Sequence, residues 1–416
     1  MPSRSGCGVA ISGVGVTSAI GQGQAAFLSA LLEGRHRFGV MRRPGRQRPS
    51  QTDGQSASGF LGAEIAQLSM PSSVPASLLR TASWSGQVAL ATLHEAWHDA
   101  ALDGVASERI GLVVGGSNLQ QRELVQAHEA YRGREAFLRP TYGLSFMDSD
   151  LCGLCTEVFG IRGLAYTVGG ASASGQVAVI EAVQAVVSGR VDVCIAMGGL
   201  MDLSHWECQG LRSLGAMGSD RYADEPALAC RPFDKERDGF IYGESCGALV
   251  IEKIETAPKR GRPPYARVSG WGMRMDANRN PNPSAEGEIA AINQALDRAQ
   301  LAPTDIDYIN PHGTGSTIGD ITELDSIMQC GLGHARLNAT KSVIGHGLSA
   351  AGAVELIAVV LQMKEGKLHP TRNLENPINP SLHWVGPQAQ SHATHNALNL
   401  SMGFGGVNTA VCLQRV

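Results

Sequence analysis

Residues 166 to 179 read Tyr166-Thr-Val-Gly-Gly-Ala-Ser-Ala-Ser-Gly-Gln-Val-Ala-Val179, an apolar strand followed by a Gly-Gly turn and the start of a helix. Ser172 or Ser174 is the expected N-cap of this helix, Gln176 is expected on its polar face, and Gly189 should end it. A sharp strand-to-helix turn holds a side chain where backbone N–H groups and the helix dipole stabilise negative charge. Ser172 therefore has a position suited to a nucleophile, although serine is also common there simply as an N-cap.

Length and composition indicate a large globular protein. The chain has 416 residues, 43% of them hydrophobic, and a net charge of -4. This predicts one large α/β unit or two packed halves, and the negative charge argues against a nucleic-acid-binding protein. The most apolar helix, Gly352 to Met363, is short and carries Glu355, so we expect a soluble, cytoplasmic protein without membrane contact.

The nine cysteines are an odd number and are scattered along the chain. Reduced thiols in the core are therefore expected rather than disulfides. Cys152 and Cys155 form a CxxC pair, but the sequence has no second pair and no histidine at zinc-binding spacing. We therefore predict no metal site.

Two similar strands indicate two related halves. The first strand, Val9 to Val16, contains Ile-Ser-Gly-Val-Gly-Val, and a similar pattern returns at Val268 to Met273. Each half would carry its own sheet with helices on the faces. The proline-rich, basic stretch Ala257 to Pro264 is the expected linker, which divides the chain into residues 1–256 and 265–416.

A second irregular region runs from Arg42 to Gly59 and contains Arg42, Arg43, Arg46 and Arg48. We predict an exposed loop. Such a loop either docks an acidic protein partner or, as is more usual for a run of charge, is simply solvated surface.

The second half contains a histidine on a glycine-flanked turn. The stretch Asn310-Pro-His-Gly-Thr-Gly-Ser316 exposes the imidazole of His312 and allows a ligand to approach the backbone. A second histidine, His346, lies just before the helix that contains Glu355. A helix N-terminus disfavours imidazolium, so His346 should be neutral and donate one N–H.

Lys341 precedes this second histidine and needs an anionic partner if it is buried. Asp320, Glu323 and Glu355 are the candidates. Asp320 and Glu323 also have the spacing of a capping box, which would explain them structurally.

These residues carry a family resemblance. From Val9 to Val411 the chain resembles the β-ketoacyl-acyl carrier protein synthases, which have the duplicated thiolase fold, an α/β architecture of five layers, αβαβα. The most specific motifs are Arg231-Pro-Phe-Asp-Lys-Glu-Arg-Asp-Gly-Phe-Ile-Tyr-Gly-Glu244, His312-Gly-Thr-Gly-Ser316, Lys341-Ser-Val-Ile-Gly-His346 and Gly403-Phe-Gly-Gly-Val-Asn408. The resemblance also implies a homodimer, with the strand Val191 to Met197 near the two-fold axis.

The resemblance assigns roles to the residues of these motifs. His312 and His346 would be the active-site histidines. Supporting residues would be Lys341, Glu355, Asp320 and Glu323. Around the substrate, Phe404 would be the gating aromatic residue, Thr314 and Ser316 would line the pantetheine tunnel, and Gly405 would contact the substrate.

The chain departs from the family at the nucleophile, where Ser172 replaces the cysteine of condensing members. A cysteine thiolate can take an acyl group from a thioester, whereas a serine hydroxyl does not ionise near neutral pH. Loss of CO2 from a malonyl thioester needs no nucleophile. It needs N–H donors such as two imidazoles for the enolate oxygen, and an apolar wall such as Phe404 would disfavour the carboxylate. The prediction is decarboxylation of malonyl- to acetyl-acyl carrier protein without condensation.

The stretch Val168 to Gly175 also resembles the free-standing ketosynthase-like decarboxylases of polyketide β-branching. This implies an acyl carrier protein in trans, whose phosphopantetheine arm carries the substrate, and no cofactor bound by the chain itself. Neighbouring enzymes would be an HMG-CoA synthase homologue and enoyl-CoA hydratase homologues. Met402, where the family usually has phenylalanine, changes the lining of the pocket.

Two other functions are compatible with the sequence. One is a non-catalytic partner subunit like the chain-length factors, which also lose the cysteine but tend to lose the histidine motifs. The other is a Ser172-dependent acyltransferase or condensing enzyme with His312 as its base.

Overall fold

A computed structural model describes residues 8–48 and 59–416. Residues 49–58, within the irregular region predicted from Arg42 to Gly59, lie outside the described residues.

The first half contains nine strands and eight α-helices among the described residues. The strands are β1 (Val9–Ser18), β2 (Gly21–Gln22), β3 (Phe38–Val40), β4 (Leu61–Ala63), β5 (Ile110–Gly115), β6 (Ala165–Val168), β7 (Val193–Gly198), β8 (Tyr242–Gly243) and β9 (Ser245–Lys253). The helices are α1 (Gln24–Leu32), α2 (Ala76–Leu79), α3 (Trp84–Asp99), α4 (Gln121–Tyr131), α5 (Tyr142–Ser145), α6 (Ser149–Phe159), α7 (Ser174–Val187) and α8 (His205–Ser213).

The second half contains eight strands and four α-helices. The strands are β10 (Ala266–Met275), β11 (Tyr308–Asn310), β12 (Arg336–Leu337), β13 (Lys367–Leu368), β14 (His383–Trp384), β15 (Gln390–Ser391), β16 (Asn396–Gly403) and β17 (Val407–Gln414). The helices are α9 (Ala285–Ala299), α10 (Gly319–Gln329), α11 (Lys341–Ile344) and α12 (Ala351–Glu365).

The main sheet contains the same five-strand arrangement twice. In the first half the order is β6-β5-β7-β9-β1, and in the second it is β12-β11-β16-β17-β10. In each half the first three strands pair parallel with one another. The fourth strand is antiparallel to the third, and the fifth is antiparallel to the fourth. A short antiparallel pairing of β1 with β10 joins the two sets. The two similar strands recognised in the sequence thus occupy equivalent places, which confirms the duplication.

Three apolar clusters show that these sheets lie between layers of helices. A central cluster contains side chains of α7 and α12. The outer cluster of the first half contains side chains of α3 and α6, and that of the second half contains side chains of α9 and α10. Along β5, Leu112 and Val114 join the outer cluster while Val113 joins the central one, as the two-residue period of a strand requires. The five layers αβαβα confirm the predicted fold class.

The start of α7 differs from the prediction. The N-cap residue is Ala173 and makes no side-chain capping bond, so neither predicted serine is the N-cap. The Ser174 hydroxyl instead donates to the Ala171 carbonyl and accepts the Gly170 N–H. The prediction for Gln176 is also wrong. It is fully buried and its amide pairs with Asn399, because α7 lies in the middle layer and has no polar face at this position.

The strand predicted to lie near a two-fold axis is inside the sheet. Both edges of β7 are paired, one with β5 and the other with β9. The strand at the end of this half of the sheet is β6. A second copy that extended the sheet on this side would therefore pair with β6 and not with β7, and the position of the two-fold axis stays a prediction.

The basic loop is only partly exposed. Arg42 and Arg48 are exposed as predicted, but Arg46 is completely buried. Its Nη2 lies 2.7 Å from Asp202 Oδ1 and 2.6 Å from Glu244 Oε1. The prediction of a solvated loop is therefore wrong for Arg46, whose charge is neutralised inside the protein.

The cysteines, the lengths of the helices and the linker complete the description of the fold. The eight cysteines within the described ranges are free and buried, including Cys152 and Cys155 on α6. None of the helices in residues 8–48 and 59–416 is long and apolar enough to cross a membrane. The predicted linker at 257–264 connects β9 with β10. The division into 1–256 and 265–416 stays a prediction.

Candidate active site

Ser172 lies at the strand-to-helix turn that the sequence indicated. It is the central residue of a 3₁₀ turn, Ala171–Ala173, between β6 and α7. Ala171 has a φ of 47°, a left-handed conformation that is unusual for a residue with a side chain. Ser172 and both predicted histidines line one cavity of about 320 Å³. The structure therefore brings together residues that lie far apart in the sequence.

The backbone of His346 is held by the strand β8. Its N–H donates to the Ile241 carbonyl at 2.7 Å, and its carbonyl accepts the Gly243 N–H at 3.0 Å. The preceding Gly345 has a φ of 80°, which lets the chain turn from α11 into this contact.

Hydrogen bonds to His346 define which ring nitrogen carries the proton. The backbone N–H of Leu348 donates to Nδ1 at 3.3 Å, so the proton of the neutral ring is on Nε2. Burial, together with the charge of Lys341, lowers the pKa of His346 well below 6.5 and keeps the ring neutral. Nε2 lies 3.0 Å from Ser172 Oγ. The Nε2–H therefore donates to the serine hydroxyl.

His312 has the same arrangement on the other side of the cavity. The Lys341 ammonium donates to His312 Nδ1 at 3.3 Å, which again leaves the proton on Nε2. Burial, followed by the charges of Lys341 and His346, lowers the pKa of His312 well below 6.5. The two imidazole rings are nearly perpendicular, with centroids 5.5 Å apart. Two neutral histidines thus offer N–H donors at one site.

Lys341 finds its anionic partner in Glu355. Its Nζ forms a buried ion pair with Glu355 Oε1 and also donates to the His312 carbonyl. With the bond to His312 Nδ1, all three ammonium hydrogens have acceptors. Burial raises the pKa of Glu355 to about 7, although the ion pair with Lys341 opposes this shift.

Asp320 and Glu323 hold the backbone of the His312 turn. Glu323 accepts the N–H groups of His312 and Gly313, and Asp320 accepts that of Gly315 at 3.0 Å. The N-cap of α10 is Ile318, so the capping-box explanation for this carboxylate pair was wrong. Glu355, and not either of these two, pairs with Lys341.

The other predicted residues lie around the cavity, with one exception. Its lining includes Thr314, Ser316, Met402 and Phe404. Phe404 is 41% exposed, which places it at the surface end of the site. Gly405, in the same turn between β16 and β17, is not among the described lining residues.

Sequence reasoning missed Phe240. Its ring meets the His346 ring edge-on, with centroids 5.0 Å apart, and it lines the cavity. Phe240 belongs to the family motif Arg231 to Glu244, and this position was the signal that could have identified it. The motif indicates the family but does not by itself indicate what Phe240 does.

The described part of the chain holds no cluster of three or more histidine, cysteine or acidic side chains suited to a metal ion. Two N–H groups and an apolar ring suit a reaction that develops negative charge on a carbonyl oxygen.

Comparisons with known proteins identify the family of the chain. Residues 8–257 match the family model of the β-ketoacyl synthase N-terminal domain, and residues 265–375 match that of the C-terminal domain. The polyketide biosynthesis malonyl-ACP decarboxylase PksF of Bacillus subtilis (strain 168) is 63% identical over 408 residues, covering 98% of this chain and 96% of PksF.

Two solved structures are also similar. A β-ketoacyl synthase from Burkholderia phymatum STM815 is 27% identical, with a TM-score of 0.88 and coverage of 98% of this chain and 99% of that one. The ishigamide ketosynthase/chain length factor is likewise 27% identical, with a TM-score of 0.88. The match covers 99% of this chain and 100% of that one.

Proposed function

Because this chain belongs to the β-ketoacyl synthase family, we propose that it decarboxylates malonyl-acyl carrier protein to acetyl-acyl carrier protein and CO2, without condensation. The observation that carries the proposal is the pair of neutral imidazoles, whose Nε2–H groups face a cavity with serine in place of the family's cysteine. The similarity to PksF, which is named for this activity, supports it.

The reaction breaks the bond between the carboxylate carbon and the α-carbon of the malonyl group. The bonding electrons form an enolate with its negative charge on the thioester oxygen. In our proposal His312 and His346 donate hydrogen bonds to that oxygen, and each such donor typically accelerates a reaction by about 100- to 1,000-fold. Water then protonates the α-carbon, which gives the acetyl thioester.

The same hydrogen bonds argue against a nucleophilic serine. A base must accept the serine proton, but the Nδ1 atoms of His346 and His312 already accept hydrogen bonds, and their Nε2 atoms carry protons. His346 is the histidine beside Ser172, and it donates to the hydroxyl. The arrangement therefore disfavours the alternative in which Ser172 is acylated with His312 as its base.

Phe240 provides an apolar surface where the carboxylate can leave. Its ring contacts His346 directly and lines the cavity, deeper than the exposed Phe404. A carboxylate against an aromatic ring loses favourable solvation that neutral CO2 does not need. We propose that Phe240, rather than Phe404, is the apolar wall against which the carboxylate is poorly solvated. Phe404 would lie at the entrance of the cavity.

The substrate reaches the site on a carrier protein. PksF is named for a malonyl-ACP substrate, and we infer the same for this chain, with the phosphopantetheine arm passing Thr314 and Ser316. We further propose that the acetyl group becomes a β-branch of a polyketide, beside an HMG-CoA synthase homologue and enoyl-CoA hydratase homologues. The resemblance of Val168 to Gly175 to β-branching decarboxylases supports this placement.

We also propose a homodimer. The segment from residue 135 to 147 projects several apolar side chains into solvent, namely Phe137, Leu144, Phe146 and Met147, which are 77%, 60%, 52% and 49% exposed. The unpaired edge of β6 belongs to the same half of the molecule. Exposed apolar groups of this density mark interaction surfaces, and a second copy would cover them.

The direct test mixes the protein with malonyl-carrier protein in the absence of an acyl primer. We expect CO2 and acetyl-carrier protein from the wild type, and the rate of the enzyme-free blank from the double variant H312A/H346A. A wild type that reacts only at the blank rate would favour the non-catalytic partner subunit. A β-ketoacyl product would indicate condensation.

A further inference from the structure

We propose that Arg46 is a positioning residue for His346, acting through the strand β8. This inference rests on the proposed function, in which His346 donates a hydrogen bond to the enolate oxygen. Arg46 does not line the cavity. Its effect would pass through the two residues on either side of Gly243.

The first step is the contact between Arg46 and the residues that flank Gly243. On one side, the guanidinium carbon lies 5.0 Å from the ring centroid of Tyr242. On the other, Nη2 lies 2.6 Å from Glu244 Oε1. The same Nη2 lies 2.7 Å from Asp202, which ties the group to the segment before α8. The Arg46 guanidinium is planar and fully buried. It therefore holds Tyr242 and Glu244, the residues on either side of Gly243, in fixed positions.

The second step is the contact between β8 and His346. Gly243 donates to the His346 carbonyl at 3.0 Å, and the His346 N–H donates to Ile241 at 2.7 Å. Strand β8 and the end of α11 approach so closely that a Cβ on Gly243 would lie 2.0 Å from the Ile344 carbonyl oxygen. A shift of β8 therefore moves the backbone of His346 with it.

The third step is the sensitivity of the imidazole to such a shift. The bond from Leu348 N–H to Nδ1 is 3.3 Å long, near the upper limit for an N–H donor. A small displacement of the His346 backbone would break this hydrogen bond. The ring proton could then reside on either nitrogen. The hydroxyl of Tyr242 also donates to the Met201 carbonyl at 2.6 Å, and Met201 lines the cavity. Arg46 thus supports both the donor and the adjacent wall.

We expect the protein to fold without the Arg46 guanidinium. After Arg46→Met, Asp202 keeps Arg122, whose Nη2 lies 2.8 Å away. Glu244 keeps Arg43 at 2.8 Å and the Ile65 N–H at 2.6 Å. Neither buried carboxylate becomes an uncompensated charge, and methionine fills the volume of the arginine stem.

The experiment compares decarboxylation by R46M, R46K and a control, R260M. Arg260 forms an ion pair with buried Glu252, so its loss tests general destabilisation away from the cavity. We expect kcat of R46M to fall by about 10- to 100-fold because misplacing a donor costs rate, with KM within about two-fold. R46K should lie between R46M and the wild type, because lysine keeps the charge but not the planar fork. A kcat of R46M equal to that of R260M would overturn the inference.

Double variants test whether the effect passes through His346. R46M should slow the H312A enzyme as much as it slows the wild type, but should not slow H346A further. Equal slowing in both backgrounds would contradict a route through His346.

A second readout needs no activity. Nitrogen-15 NMR of the histidine side chains should show a single Nε2–H tautomer for His346 in the wild type and R260M, and a tautomer mixture in R46M. An unchanged tautomer in R46M would overturn the inference. A wild type with this spectrum but without decarboxylation would instead overturn the proposed function.

Discussion

At the scale of single residues, the direction of two hydrogen bonds determines what the site can do. Each active-site histidine accepts at Nδ1, from the Leu348 N–H or from the Lys341 ammonium. Each ring is neutral because burial lowers its pKa well below 6.5. A neutral imidazole with an occupied Nδ1 is a hydrogen-bond donor and not a base. Stabilisation of an enolate needs such a donor, whereas acylation of serine needs a base.

This difference predicts the results of three alanine variants. His312→Ala and His346→Ala should each lower kcat for malonyl-carrier protein by about 100- to 1,000-fold, because each removes one donor to the enolate oxygen. Ser172→Ala should have a smaller effect, because the serine forms no bond to carbon. Steady-state CO2 release measures all three. If Ser172→Ala were as inactive as the histidine variants, the role assigned to the serine would be wrong.

At the scale of secondary-structure elements, one ionisable side chain is buried on the inner face of helix α9. Glu288 on α9 is 2% exposed, and its Oε2 has no hydrogen-bond partner within the described ranges. Burial raises the pKa of Glu288 to about 8; a hydrogen bond with Ser326 opposes this shift, and the charge of Asp276 adds to it. The folded protein therefore keeps a proton on Glu288 at pH values where the unfolded chain has lost it.

This pKa predicts a pH-dependent gain in stability for Glu288→Gln. Between about pH 4.5 and 8 the folded state binds more protons at Glu288 than the unfolded state does, so wild-type stability falls as pH rises. Glutamine has no such proton. The variant should match the wild type near pH 5 and exceed it by on the order of a few kcal/mol near pH 9.

Denaturant unfolding at both pH values measures the difference. Glu286→Gln, on the exposed side of the same helix, is the control and should show no such trend. A constant difference between Glu288→Gln and the wild type at the two pH values would contradict the assigned pKa.

The sequence predicted those elements whose partners are close in the chain or follow a family motif. The turn at Ser172, the duplicated strands and both histidines were found in this way. Arg46 was assigned to an exposed loop because the two carboxylates that lie nearest to it, Asp202 and Glu244, are 156 and 198 residues away in the sequence. Similarly, Gln176 looked like a surface residue because nothing local indicates that the first two turns of α7, residues 174–180, are buried on all sides. Only the packing of the layers determines these environments.

At the scale of the whole molecule, the thiolase-like duplication places the site between two halves. Ser172 comes from the first half, while His312 and His346 come from the second, and the cavity lies between them. The two sheets are joined by only a short pairing of β1 with β10, but α7 and α12 share one central core. That core holds the serine turn and the histidines in fixed relation to each other.

The exposed apolar segment predicts the oligomeric state. The wild type should sediment as a dimer at micromolar concentration, and the variant Phe137→Asp/Phe146→Asp should shift to a monomer because it places charge in the covered surface. Met328→Asp, an exposed methionine on the outer helix α10, is the control and should remain dimeric. A monomeric wild type, or a double variant that stays dimeric, would show that a second copy does not cover this segment.

The most direct test of the account follows both proteins by intact mass spectrometry in one reaction of wild-type enzyme with malonyl-carrier protein. We predict that the phosphopantetheine arm of the carrier loses the mass of CO2 while the mass of the enzyme stays unchanged throughout turnover. An enzyme that gains the mass of an acyl group on Ser172 as the carrier is consumed would contradict decarboxylation by two imidazole donors alone.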